Sequence, residues 1–321
     1  MMAPPPASEI GTIVVALGGN ALQPATGSGD IYEQFAHARE SLTPVVALAD
    51  AGWRIALVHG NGPQIGDDLD RNERAADRIP PLPLGVLVAG TAGWIGYMLQ
   101  QSLQNALRRR GVRRLVSTII TQVRVDPDDP ALRAPDKPIG RVLERDDAER
   151  ARTELGWTVR ETSGGWRRVA ASPRPLEIIE SEQIRRLVST GTIVIACGGG
   201  GIPVYRDEAG LEGVDAVVDK DRAATVLALD IGASELLILT DVEGVFADFG
   251  TPAERLIERL DAARARALLA AGGLGEGSMR PKVESAVDFV TTGGRRAIIA
   301  RLDGGLDAVH GTAGTTITEG G

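Results

Sequence analysis

Apolar residues along the chain gather into short runs that stop at glycine, and these alternate with longer stretches of helical spacing. Thr12–Leu17 is a β-branched apolar run ending at Gly18-Gly19-Asn20, the pattern of a buried strand feeding a glycine turn. Ile31–Asp50 keeps helical spacing and stops before Gly52, which predicts one helix. Trp53–Val58 repeats the strand pattern and ends at His59-Gly60-Asn61-Gly62-Pro63. Pro63 suits the first turn of a helix running to about Arg78. Pro80, Pro81 and Pro83 interrupt the chain, Leu84–Arg110 reads as one long helix with internal glycines, and Leu115–Val125 as one strand or a strand pair.

From Asp126 to Pro175 the pattern dissolves into Pro, Asp, Arg and Gly, with Trp157 and Trp166. A plain connection of about 50 residues lies far outside ordinary loop lengths. The segment is therefore expected to be an inserted, hairpin-bearing subdomain projecting from the main sheet, with both tryptophans in its core. Beyond it, Glu177–Ser189 reads as a helix and Thr192–Cys197 as a buried strand ending in Gly198-Gly199-Gly200-Gly201. Asp219–Asp230 reads as a helix, Glu235–Thr240 as a strand and Asp261–Ala271 as a helix, with Arg259 on an exposed helical surface. Gly272–Gly277 reads as a flexible loop leading to Ser278-Met279-Arg280-Pro281-Lys282 and a helix to about Val290; Ala297–Ala300 and Thr315–Thr318 close as strands. Strands alternating with helices predict an α/β protein, a three-layer αβα sandwich with a mainly parallel central sheet and a small inserted protruding subdomain. No internal repeat is evident. Residues 1–9 lack the basic and apolar regions of a signal peptide and are expected to be a disordered leader to a domain spanning 10–321.

Composition narrows the function. Net charge is −8, from 35 Lys plus Arg against 43 Asp plus Glu, which disfavours a nucleic-acid partner. The basic run Arg108–Arg114 follows an apolar helix and reads as its solvated C-terminal end. Cys197 is the single cysteine, so no intrachain disulfide forms and a reducing, cytoplasmic location is expected. No run of about 18 apolar residues occurs, so no membrane span is expected. Of the 35 basic residues only three are lysine, Lys137, Lys220 and Lys282, and each sits in a glycine- or proline-marked motif. A lysine ammonium is a compact point charge that fits beside a single phosphate oxygen, which the wide guanidinium does not. Either the three survive compositional drift, or they converge on a transferring phosphoryl group.

Three strands end in glycine-rich turns: Gly18-Gly19-Asn20, Gly60-Asn61-Gly62 and Gly198–Gly201. In open α/β sheets ligands sit beyond the carboxyl ends of the strands, and glycine lets backbone N–H groups approach phosphate oxygens. The turns therefore predict an anion site there, including Gly199 and Gly200. No Gly-Lys-Ser/Thr P-loop exists, and Gly18-Gly19-Asn20 lacks the third glycine of the dinucleotide fingerprint. Phosphoryl transfer asks mainly for positioning and neutralised charge, which lysines, turn amides and Mg²⁺ supply. Asp219 and Asp221 either orient Lys220, hold the metal, or cap the following helix; these roles are compatible. His59 reads as a structural residue at a strand end and Cys197 as packing, and local motifs suggest no Ser-His-Asp or Cys-His arrangement.

These motifs resemble carbamate kinases, within the amino-acid-kinase fold family, over nearly the whole chain. The resemblance rests on Val-Ala-Leu-Gly-Gly-Asn-Ala (15–21), His-Gly-Asn-Gly-Pro-Gln (59–64), Thr-Gln-Val-Arg-Val-Asp-Pro (121–127) and Lys-Pro-Ile-Gly (137–140). It continues through Gly-Trp-Arg-Arg-Val (165–169), Cys-Gly-Gly-Gly-Gly-Ile-Pro (197–203), Val-Val-Asp-Lys-Asp (217–221), Leu-Thr-Asp-Val (239–242) and Gly-Ser-Met-Arg-Pro-Lys (277–282). The resemblance implies transfer between carbamoyl phosphate plus ADP and carbamate plus ATP, with Mg²⁺, in a homodimer. It places Lys137, Lys220 and Lys282 around the phosphoryl group, with Asp219 orienting them. Gly18, Gly19, Asn20, Asn61 and Gly62 would hold carbamate or the transferring phosphate, and metal ligands are left unassigned. Thr240, Asp241, Val242 and Val245, with Ser278, Met279 and Lys282, would contact nucleotide. The chain departs from the family's usual pattern at Ala89-Gly90-Thr91-Ala92-Gly93, where a Ser- or Thr-Gln-Gly element is usual, at Ala170-Ala171-Ser172-Pro173 and at Arg280. The alternatives are a kinase of another small carboxylate or phosphonate on this fold, or a non-catalytic sensor, which the three lysines disfavour. Arginine or purine breakdown and carbamoyl phosphate supply remain open as settings.

Overall fold

The computed structural model describes residues 11–18, 21–22, 29–162, 164–272, 274 and 279–320, so the expected leader, Gly19, Asn20 and Ser278 lie outside the described residues. The chain opens with β1 (Thr12–Leu17), α1 (Ile31–Ser41), α2 (Thr43–Asp50), β2 (Arg54–His59), α3 (Gly62–Arg74) and α4 (Leu84–Arg110). Then come β3 (Val116–Thr118), β4 (Gln122–Val125), β5 (Lys137–Leu143), α5 (Arg145–Leu155), β6 (Val159–Thr162), β7 (Gly165–Ala170) and β8 (Pro175–Ile178). Next are α6 (Ser181–Ser189), β9 (Ile193–Ala196), β10 (Ile202–Arg206), β11 (Leu211–Gly213), α7 (Lys220–Asp230) and β12 (Glu235–Thr240). The chain closes with β13 (Phe246–Ala247), β14 (Arg255–Leu256), β15 (Arg259–Asp261), α8 (Ala262–Ala270), α9 (Met279–Thr291), β16 (Arg296–Arg301), α10 (Gly305–Val309) and β17 (Thr315–Thr318).

Eight strands form the central sheet in the order β15-β17-β16-β12-β1-β2-β9-β3. Every neighbouring pair is parallel except β16 with β17. The apolar runs are continuous because both faces are covered, as parallel sheets require. Along β1, Val14 and Ala16 face one apolar cluster, shared with α6, α7, α8 and α9. Ile13, Val15 and Leu17 face the other, shared with α1, α2, α4 and α10. The molecule is thus the expected three-layer αβα sandwich. Each fully buried Ile or Leu in these faces contributes about 1.5–3 kcal/mol relative to exposure.

Local chemistry corrects several boundaries. The stretch 31–50 is two helices, broken at Leu42, because Pro44 has no N–H to continue the ladder and instead occupies the first turn of α2. The helix expected from Glu177 starts only at Ser181, because Glu177 and Ile178 belong to β8, which pairs with β4 as an antiparallel strand. The Glu180 carboxylate fixes that start by accepting from the Gln122 backbone N–H at 2.8 Å and from its side chain at 2.9 Å. Leu115–Val125 is a strand pair divided between sheets, since β4 joins a second sheet of order β11-β10-β4-β8. Arg259 lies exposed on β15, an edge strand, rather than on a helix. The helix α4 ends as the pattern implies, with Gly111 in the left-handed conformation and Arg108, Arg109 and Arg110 in its last turn.

The insertion carries its own antiparallel sheet, β5-β7-β6. Leu143, Ala148 and Val159 form a small core with Trp157 and Trp166 packed against it. Its last residue, Pro175, already belongs to β8. The insertion rests on α3 through an apolar contact, in which Ile139 and Ala170 join Ile65 and Leu69, and at two further points. At the first, Gly66 and Gly140 meet backbone to backbone, so that a Cβ on Gly66 would overlap the Gly140 Cα. At the second, Glu73 accepts from the Trp157 indole N–H and from Arg168 at 2.8 Å, while the Arg168 guanidinium lies 4.5 Å from the Trp157 ring centroid. Among the described residues, no helix is long and apolar enough to cross a membrane.

Candidate active site

Because β1, β2, β9 and β12 run parallel, their carboxyl ends share one edge. The Gly18 N–H donates to the Leu239 carbonyl at 3.2 Å, tying the turn after β1 to the end of β12. The turn after β2 leads straight into α3, with Pro63 in its first turn and open space where Gly62 would carry a Cβ. The turn after β9 begins at Cys197, itself left-handed with φ 49°, and continues through Gly199 at φ 69°. A side chain at Gly199 would collide with the Asn61 amide, and one at Gly200 with the Val218 carbonyl. The glycine run is therefore wedged between Asn61 and the residue that precedes Asp219. Glycine is required at 199 both for its backbone region and for this approach.

Charge is concentrated on the far side of that wedge, at the start of α7. Asp219 is the N-cap: its Oδ1 accepts from the Asp221 N–H at 2.9 Å and the Arg222 N–H at 3.2 Å. Its Oδ2 takes the ammonium of Lys137, delivered by β5 of the insertion. Lys220 pairs with Asp221 Oδ1, and Lys282, from the first turn of α9, reaches Asp221 Oδ2 at 3.4 Å. Three lysines from three separate elements thus meet two adjacent carboxylates that are 7 % and 3 % exposed. Capping and lysine orientation, posed as compatible roles for Asp219, are performed by the two oxygens of one carboxylate.

The titration of these groups follows from a cluster short of negative charge. Burial alone would push the Asp219 carboxyl up, but Lys137 above all, then Lys220 and the Arg222 amide, hold it below the usual carboxylate range. Lys220 is lowered from the ordinary lysine value by burial; Asp221 opposes the shift and the neighbouring ammonium of Lys282 adds to it. A phosphate brought to this edge would relieve both the desolvation and the repulsion.

The residues aligned with a nucleotide are placed at the end of β12 and the start of α9, which packs on β12 and β16. Thr240 is buried and its hydroxyl donates to Asp241 Oδ1 at 3.0 Å; Asp241 is exposed and Val242 half-buried. Val245 faces the core, with its N–H bound to Thr315 Oγ1 at 2.8 Å, and Met279 packs against the same apolar cluster. Asp221 was legible only as a possible partner of Lys220; its second bond, to Lys282, joins residues 61 positions apart and left no local signal. Glu73 carried no signal, and Thr91 only that it lies in the stretch Ala89–Gly93 where the chain departs from the family's usual pattern. Among the described residues no group of three His, Cys, Asp or Glu side chains could hold a metal ion. Three of the four oxygens of Asp219 and Asp221 are taken by ammonium groups and the fourth by the backbone N–H groups of Asp221 and Arg222, a set that suits a cation arriving on phosphate oxygens better than a protein-built cage.

Cys197 is fully buried, and burial above all, then Glu180 and Asp230, push its thiol up, so it packs and does not act as a nucleophile. His59 is also fully buried; burial lowers it to about 4, against a hydrogen bond from Nδ1 to the Gly60 carbonyl at 3.0 Å that would raise it. The unfolded chain therefore takes up a proton near pH 6.5 that the folded chain refuses until about pH 4. Stability from this residue is complete above pH 6.5 and is lost as pH falls toward 4, by about 3 kcal/mol at most. Denaturant titrations at several pH values should show a shallower loss across that window in His59→Asn than in the parent. Parallel curves would exclude His59 as the source.

Comparison with known proteins places this geometry. The model of the amino acid kinase family matches residues 11–301. The carbamate kinase of Pyrococcus horikoshii is 42% identical over 309 residues, covering 95% of this chain and 98% of that protein. A structure of carbamate kinase from Giardia lamblia bound to citric acid superposes with a TM-score of 0.92 at 37% identity, covering 97% of this chain and 99% of that one. The same Giardia enzyme bound to AMP-PNP gives a TM-score of 0.87 at 38% identity, with 97% and 99% covered.

Proposed function

The chain belongs to the amino acid kinase family, and from that premise we propose that it is a carbamate kinase, an ATP:carbamate phosphotransferase working on carbamoyl phosphate and ADP in one direction and carbamate and ATP in the other. The observation that carries this reading is the meeting of Lys137, Lys220 and Lys282 on Asp219 and Asp221, beside the glycine turns at the carboxyl edge of the sheet. The nucleotide-analogue complex of the Giardia enzyme supports ATP and ADP as the nucleotides.

In the ATP-forming direction a β-phosphate oxygen of ADP attacks the phosphorus of carbamoyl phosphate. The bond from phosphorus to the carbamoyl oxygen breaks, and carbamate leaves with the electron pair. The protein supplies charge and placement. The lysines neutralise the oxygens of the transferring group, and Asp219 and Asp221 hold the ammonium groups apart at fixed points. The glycine turns that hold Gly18, Asn61, Gly62, Gly199 and Gly200 receive carbamate, in the open space beside Gly62. Residues at the end of β12 and the start of α9 receive the nucleotide. Mg²⁺ arriving with the nucleotide would supply further neutralisation of the phosphate charge. The insertion acts as a lid that brings Lys137 to the site. The enzyme works as a homodimer, for which the exposed Tyr97 and Val86 on α4 and Ile120 beyond the edge strand β3 offer apolar surface. A single buried cysteine suits the cytoplasm.

With Mg²⁺ present, purified protein should form ATP from ADP and carbamoyl phosphate faster than the spontaneous decomposition control. ATP at the control level, together with phosphorylation of another small carboxylate by ATP, would move the chain to a different kinase of the same fold.

A further inference from the structure

Asn61 lies in the turn between β2 and α3 and is 5 % exposed. Its amide is held from two other elements. Nδ2 donates to Thr91 Oγ1, on α4, at 2.8 Å. Thr91, fully buried, donates its own hydroxyl proton to the Val88 carbonyl at 2.8 Å. The flank of the amide lies against Gly199, where a Cβ would stand 2.8 Å from Oδ1. This chain of bonds has a fixed polarity. A hydroxyl whose proton is committed to a carbonyl can only accept from its second neighbour, so the nitrogen of Asn61, and not its oxygen, must face Thr91. The opposite edge of the amide then carries Oδ1, a pure acceptor.

An acceptor is of no use to a phosphate or a carboxylate, whose oxygens are acceptors too. The carbamoyl group differs in one respect: it carries an –NH₂. We infer that Thr91 is a positioning residue that turns Asn61 into a reader of the carbamoyl nitrogen, with Oδ1 accepting its N–H. The inference rests on the carbamate kinase reading and adds to it a basis for substrate choice. Acetyl phosphate carries a methyl group in place of the –NH₂, so it leaves Oδ1 unpaired, and sites built around a substrate N–H reject analogues that lack it. With Thr91→Val the hydroxyl is lost in a side chain of the same shape. The Asn61 amide is then free to turn and offer Nδ2 to the anion, and the preference for a nitrogen-bearing substrate falls away.

The test compares carbamoyl phosphate and acetyl phosphate, with ADP, in the parent, T91V and T91S. Acetyl phosphate is read as a substrate or, where it does not turn over, as a competitive inhibitor. T91V should lower the ratio of kcat/KM for carbamoyl phosphate to that for acetyl phosphate, or the matching ratio of affinities, by about tenfold, the effect of one net hydrogen bond. The KM for ADP should stay at the parental value, and T91S, which restores a hydroxyl, should restore the ratio. If T91V does not fold, T91A is read in the same way. A parental ratio in the valine or alanine variant, or a loss shared equally by both acyl phosphates, overturns the inference and leaves Thr91 as a tie between α4 and the turn. A parent that makes no ATP from carbamoyl phosphate defeats the functional reading instead, and the two failures are distinguishable.

Discussion

Lys220→Arg should lower kcat by about 10²–10³, the range for removing one preorganised donor from a developing charge, while nucleotide affinity and melting temperature stay near the parent's. The substitution keeps the formal charge and changes only its shape. Lys220 is the first residue of α7, and its side chain is 12 % exposed, so the ammonium is nearly enclosed by protein. Asp221 Oδ1 holds it there, and the other oxygen of the same carboxylate holds Lys282. A planar guanidinium is wider, spreads its charge and prefers to take both oxygens of a carboxylate at once. At position 220 it cannot hold its charge at the single point where Asp221 Oδ1 holds the ammonium. The control is Arg259→Lys on the exposed edge strand β15, where a surface change should stay within about 0.5 kcal/mol. If both variants turn over like the parent, the scarcity of lysine is an accident of composition and other residues neutralise the phosphoryl group.

Replacing residues 126–174 with a short Gly/Ser turn should leave a folded, nucleotide-binding protein with little turnover. Val125 and Pro175 are paired across β4 and β8, so the excision joins two neighbouring strands as a hairpin. The two large apolar clusters on the faces of the central sheet contain no residue of the excised segment. The smaller cluster around Ile65, Leu69 and Val88 loses Ile139 and Ala170, so the melting temperature should fall. Turnover suffers for two reasons: Lys137 goes with the segment, and the site loses the cover that excludes water during transfer. Lys137→Met in the intact chain isolates the first reason and should reproduce most of the loss. Near-parental turnover after excision would show that the insertion neither carries a needed charge nor covers the site.

Much of this arrangement could be read from the chain because its signals are local. The strand β1 and the helix α4 follow from continuous apolar runs bounded by Gly18 and Gly111. The three lysines stand out against 32 arginines without any knowledge of the fold. What escaped were the features decided by distant partners. Glu177 and Ile178 tolerate a helix, but pairing with β4 claims their backbone groups first. The hairpin of β10 and β11 was not anticipated, and its first strand completes the parallel pairing with β4. In the site, Asp221 binds Lys282 across 61 positions, and Thr91 binds Asn61 across 30, separations at which spacing rules carry no information. The break at Leu42 was local and readable, since Pro44 alone forbids an unbroken helix there.

The meeting of Gly66 with Gly140 gives the insertion a mechanical character. Neither residue has a side chain to interlock, so the two backbones meet directly, and Ile139 beside them packs on Ile65 and Leu69. Gly140 lies inside β5, with Lys137 on one side of it and Leu143 on the other. The insertion is therefore seated on α3 with an arm on either side of the glycine contact. Its inner arm is three residues long, about 10 Å at strand spacing, and ends in the lysine that meets Asp219. Its outer arm carries α5 and the tryptophans and is tethered by Glu73, seven residues further along α3 and about 10 Å away. The place where the insertion seats on α3, at the glycine contact and at Glu73, therefore sets how far Lys137 reaches toward Asp219.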